Sequence, residues 1–112
     1  MGKLEHLEVT VQRTISDILS RDVKEDLGFI TITGVHLTKD LSYCNVYYTV
    51  LGNNDKKAKT QRNLEKCAPF VRTMLVNRVK MRKAPQVCFR YDETIERATH
   101  LEKLISSIKT EE

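Results

Sequence analysis

Tryptophan is absent from this chain of 112 residues, and there are only two prolines and four glycines. So little glycine leaves no Gly-rich loop to cradle a nucleotide phosphate. Nor does the chain contain a Gly-x-Gly-x-x-Gly, Walker, Gly-x-Ser-x-Gly or His-Glu-x-x-His pattern. The three cysteines, Cys44, Cys67 and Cys88, are an odd and widely spaced set, which argues against a disulfide framework and a Cys-x-x-Cys metal clip. They read as small buried hydrophobes in a reducing compartment. His6, His36 and His100 have no His-x-x-x-His spacing, so packing or solvent is favoured over metal ligation. No apolar run approaches the roughly 18 residues of a membrane span, and Met1 to His6 show neither a signal-peptide nor a transit-peptide pattern. The carboxylate pairs Glu25-Asp26 and Asp92-Glu93 look like turn and capping residues. These absences predict one cytoplasmic domain over residues 1–112 that is monomeric and not an enzyme, with no cofactor, metal, membrane or small-molecule substrate.

A hydrophobic content of 40% with 30% charged residues is close enough to the globular average for the chain to fold. Leu7, Val11, Ile15, Ile18 and Leu19 mark one face of a first helix, from Leu7 to about Asp22. Phe29 to Leu37 reads as a strand whose alternation slips at Gly34, where a bulge is expected. Tyr43 to Leu51 is a second strand, with Cys44, Val46, Tyr48 and Val50 on one face, and should pair with the first as an antiparallel hairpin. A long helical stretch then runs from about Asp55 to Met81. Its stripe of Leu64, Cys67, Ala68, Val71 and Leu75 is interrupted by Pro69, which predicts a kink or break. After Pro85, Val87, Phe89 and Tyr91 alternate as a third strand. Ile95, Ala98, Leu101, Ile105 and Ile108 then mark a final amphipathic helix. The expected class is α+β, with one face of a three-stranded sheet covered by helices.

Charge is unevenly spread. From Lys56 to Lys83 there are ten Lys and Arg and one acid, Glu65, a segment charge of +9; the whole chain carries +4, which leaves −5 for the rest. At 100° per residue, Lys59, Arg62 and Lys66 fall within roughly 60° of one another and opposite the apolar stripe. A solvated surface usually mixes signs to gain pairs four residues apart, so a run of one sign favours a polyanion over mere solubility. The candidate phosphate-binding set is Lys56, Lys59, Arg62, Lys66, Arg72, Arg78, Lys80, Arg82 and Lys83. Tyr43, Tyr47 and Phe70 could stack on unpaired bases, but packing is the stronger reading of each.

Gly34 to Tyr47 resembles the ribosome-binding factor A family of bacteria, in which a Ser/Thr-x-Asp-Leu connection precedes a strand containing Ala-x-Val-Tyr. Thr38, Asp40, Leu41, Val46 and Tyr47 fit that pattern, and Cys44 replaces the alanine. Phe70 to Leu75 resembles the family's second-helix signature. Met81 to Asp92 resembles its Leu-Arg-x-x-Pro-x-Leu-x-Phe and Tyr-Asp segment. The resemblance implies a type II KH-like fold in which an interhelical kink stands where a Gly-x-x-Gly loop is usual. Here Cys67, Ala68 and Pro69 occupy that kink in place of an Ala-x-Gly pattern, and the Asp-Pro-Arg often found before the first strand is missing. The implied function is assembly of the small (30S) ribosomal subunit: binding the free subunit and assisting late maturation and 5′-end processing of 16S rRNA. The alternatives are a general single-stranded RNA-binding module and a protein-interaction adaptor.

Overall fold

The computed structural model describes residues 2–94. The elements, in order, are α1 (Lys3–Arg21), β1 (Phe29–Leu37), β2 (Tyr43–Leu51), α2 (Asn54–Arg78) and β3 (Gln86–Tyr91). The final amphipathic helix expected from Ile95 onward lies outside the described residues. α1 buries Val11, Ile15, Ile18 and Leu19, the stripe that its periodicity marks. On its outer side Thr10, Thr14 and Ser20 donate their hydroxyls to carbonyls four residues back, so these polar side chains are satisfied within the helix.

β1 and β2 pair antiparallel, and the register shifts between Ile32 and Gly34, leaving Thr33 as the extra residue of a bulge. A Cβ at Gly34 would meet nothing within 4 Å, so the bulge rather than a close approach explains the slip. Because of it, Ile30, Ile32, Val35 and Leu37 all pair with the buried set Val50, Tyr48, Val46 and Cys44 despite their mismatched parity in sequence. The bulged Thr33 donates its hydroxyl to Asp92 at 2.6 Å, tying the exit of β3 to β1. Asp92 also accepts the Thr94 amide at 2.9 Å, a capping geometry. β3 runs parallel to β2 at the far edge, giving the order β1-β2-β3.

The helices cover one face of this sheet. Leu64, Val71 and Leu75 of α2 are fully buried together with Ile15 and Ile18 of α1, against Val46 and Tyr48 of β2. On the opposite face no described helix packs, and Tyr43, Phe29 and Leu51 are exposed at its ends. α2 starts at the Asn53 cap, whose side chain accepts the Lys56 amide at 3.0 Å. The helix is continuous through Pro69, so the expected interruption does not divide it in two, and it stops at Arg78, three residues short of Met81. Proline has no N–H to offer the carbonyl four residues back, at Glu65. Both residues are exposed, and water can take up that carbonyl. The stop is set by Val79, which leaves the helix with φ −117° and ψ 123° and buries its side chain.

Candidate nucleic-acid interface

α2 has 25 residues, about 37 Å at 1.5 Å per residue, and it carries most of the chain's excess positive charge on its surface. Its register is fixed from beneath by polar contacts to the α1–β1 connection. The buried Thr60 hydroxyl donates to the Leu27 carbonyl at 3.2 Å, and the Asn63 amide to the Asp26 carbonyl at 2.7 Å. That connection is itself shaped by Gly28, whose φ of +63° places it in the left-handed region. The Gly28 amide donates to Asp26 at 3.0 Å, and this bond, followed by the Lys59 ammonium, holds the Asp26 carboxyl below its ordinary range. With this seat, Lys59, Arg62 and Lys66 point outward from the core, all three exposed.

The nine candidate cations are not equivalent in the fold. Arg78 is spent on α1: it donates to Asp17 at 2.8 Å and, through its other terminal nitrogen, to Asp22. Lys59 pairs with Asp26 at 3.3 Å. Arg72 donates to the Ala84 carbonyl at 2.8 Å, a neutral partner, whereas Lys83 donates to the Ser42 hydroxyl at 3.1 Å and lies near enough to Asp40 to help hold its carboxyl down. Among the described residues, Lys56, Arg62, Lys66, Lys80 and Arg82 make no ion pair.

The set therefore falls into an outward row on α2 and a second group beyond its end. Lys80 and Arg82 border a cleft of about 710 Å³ whose floor is Leu4, Leu7, Leu41 and Met81, and whose rim also includes Lys3 and Lys39. Sequence reasoning missed Lys3 and Lys39, which lie far from the charge run and reach the cleft only through folding. The β1–β2 connection that presents Lys39 is rigidly built. Asp40 accepts the Thr38 hydroxyl, the Ser42 amide and the Ser42 hydroxyl at 2.8 to 3.0 Å, and the Ser42 bonds are the main reason its carboxyl is held down to about 2. Leu41 takes a φ of +59°, unusual for a side chain with a Cβ, and is held there by burial of its isobutyl group.

A second groove, of about 660 Å³, runs between α2 and the edge strand β3, with Ala68, Pro69 and Arg72 on one wall and Cys88 and Arg90 on the other. The kink set is thus split: Ala68 and Pro69 border this groove, while Cys67 is buried and its sulfur reaches the Leu64 carbonyl at 3.4 Å. Burial pushes the Cys67 thiol up to about 11 and the Cys44 thiol up to about 12, so neither serves as a thiolate near neutral pH. Of the aromatic candidates, Phe70 and Tyr43 are exposed and Tyr47 is half-buried on the open sheet face. Phe70 sits one turn after Lys66 and borders a small hollow with it and Val23.

The family model described as Ribosome-binding factor A matches residues 3–105. The chain belongs to the ribosome-binding factor A family. It is 38% identical over 105 residues to the ribosome-binding factor A of Natranaerobius thermophilus, covering 93% of this chain and 80% of that one. The crystal structure of ribosome-binding factor A from Thermus thermophilus matches with a TM-score of 0.71 at 24% identity, over 80% of this chain and 97% of that one, a likeness of fold. A homology model of the Thermus thermophilus factor, as fitted into the cryo-EM map of its 30S complex, matches with a TM-score of 0.64 at 25% identity, over 80% and 94% of the two chains. The α+β, KH-like architecture is the one expected for ribosome-binding factor A, with a helix that runs continuous through Pro69.

Proposed function

We propose that this chain binds the free small ribosomal subunit and assists late maturation of its 16S rRNA, including processing of the 5′ end, without a catalytic centre of its own. Family membership together with the Thermus relative placed in a 30S map supports the partner. The single observation that carries the mechanism is the outward row of α2, where Arg62 and Lys66 stand exposed and unpaired among the described residues. Cations held at successive turns of a rigid helix meet successive backbone phosphates and release condensed counterions. The binding energy is then mostly electrostatic and independent of sequence. Selection of the correct site on the subunit comes from the shape of the folded rRNA.

The test is co-sedimentation with free small subunits, joined ribosomes and naked 16S rRNA across a salt series, for the wild type and for Arg62→Glu with Lys66→Glu. The wild type should prefer free small subunits. The double variant should lose affinity and flatten the salt dependence by about 1.8 in log-log slope, at roughly 0.9 per lost duplex phosphate contact. Unchanged affinity and slope would remove α2 from the interface. Equal binding of the wild type to every RNA would reduce the function to that of a general RNA-binding module.

A further inference from the structure

The charge run is continuous in sequence, but the fold breaks it. From Lys66 to Arg78 is twelve residues, about 18 Å along the helix. The exposed residues on that outward side are Phe70, Thr73 and Asn77, none of them charged. Arg72, the one cation of the stretch, is turned away from the row toward the groove beside β3, where it donates to the Ala84 carbonyl. At the end of this stretch Arg78 is neutralised by Asp17 and Asp22, which put two carboxylates beside the path to the second group. An RNA backbone laid from Arg62 to Arg82 would cross this gap without a free cation on that side, although nucleic-acid phosphates recur every few ångströms.

The second group also differs in shape. The α2 row is convex and can touch only a backbone. The cleft at the start of α1 is concave, floored by Leu4, Leu7, Leu41 and Met81 and rimmed by Lys3, Lys39, Lys80 and Arg82. Its volume of about 710 Å³ is within the range of sites that enclose a small organic molecule. Phosphates on the rim and riboses or bases against the aliphatic floor describe an unpaired RNA strand, since a duplex keeps its bases stacked and presents only its outside.

We infer that this cleft is a second RNA-binding site, that it takes a few nucleotides of unpaired RNA through Lys3, Lys39, Lys80 and Arg82, and that it acts independently of the α2 row. The inference rests on the proposed function, in that the polyanion is rRNA. Its content is that one domain holds two RNA segments at once, a backbone on α2 and a single strand in the cleft. Such a factor ties together two parts of a maturing rRNA.

The experiment uses the full chain and two double variants, Lys3→Glu with Lys39→Glu and Arg62→Glu with Lys66→Glu, titrated by fluorescence anisotropy with an unpaired RNA decamer and with a short RNA hairpin of duplex stem. Circular dichroism confirms that each variant is folded. The Lys3/Lys39 variant should lose about tenfold in affinity for the decamer and stay within about twofold for the hairpin stem. The Arg62/Lys66 variant should show the reverse. Equal losses by both variants on both ligands would mean one continuous surface and overturn the inference. Wild-type decamer binding by the Lys3/Lys39 variant would overturn it as well; if that variant nevertheless lost affinity for small subunits, the cleft would be assigned to a protein. Wild-type binding of both variants to free small subunits would overturn the functional reading itself, a result distinguishable from the oligonucleotide pattern.

Discussion

Arg62 and Arg78 lie on one helix and in one charge run, yet they do opposite things. Arg62 is exposed on the outward side of α2 and unpaired among the described residues. Arg78 bridges Asp17 and Asp22 and joins α2 to α1. The first half of the helix offers its charge to a partner; its end consumes charge to close the fold. A count of cations therefore overstates what a polyanion can reach. The acids that correct the count lie 61 and 56 residues away from Arg78 in sequence.

The largest effect should come from removing the support that both ends of α2 share. Leu64 is fully buried beneath the outward row, and Leu64→Ala should cost about 2 to 5 kcal/mol, read as a fall in the urea midpoint with little change in slope. A cost near zero would mean that α2 is not seated through that residue. A sharper contrast comes from single alanines at the two arginines. Arg78→Ala should lower stability by about 0.5 to 1 kcal/mol, because the pair is partly solvated, while RNA affinity hardly changes. Arg62→Ala should leave stability within about 0.5 kcal/mol and weaken RNA binding. If the two variants behaved alike in both assays, the division of the helix would not hold.

The smallest effect is in the connection beside the cleft. Asp40 is held at about 2, against an ordinary 3.8, mainly by the Ser42 amide and hydroxyl. The folded-state value is the lower one. The contribution of Asp40 is therefore fully present above about pH 4 and is lost as the pH falls through about 2. Asp40→Asn should remove this dependence. An NMR titration following the Ser42 amide between pH 5 and 2 should show a midpoint near 2 in the wild type and none in the variant; a wild-type midpoint near 3.8 would show that the staple is not formed.

Much of the fold was legible because it depends on local rules. The face of β2 that carries Cys44, Val46, Tyr48 and Val50 is buried as its alternation predicts, and the parity slip at Gly34 located the bulge to within a residue. The end of α2 was misplaced because Val79 continues an acceptable helical pattern and leaves it only to reach a buried position. Pro69 reads locally as a kink or break. The exposed side of the helix tolerates the missing hydrogen bond, which no local rule reports. The candidate interface was half legible: the row on α2 follows from helical periodicity, whereas the cleft joins Lys3, Lys39, Lys80 and Arg82 from three separate segments.

By itself, then, the sequence determined the order of the described helices and strands, the buried faces of α1, β2 and α2, and the segment that carries the positive charge. Those properties follow from the spacing of side chains along a few turns or strands. Only the tertiary structure decided which cations stay available, because neutralisation of Arg78 by Asp17 and Asp22 and assembly of the cationic cleft are contacts between distant parts of the chain. Coulomb interactions depend on distance in space, and distance along the chain does not fix it.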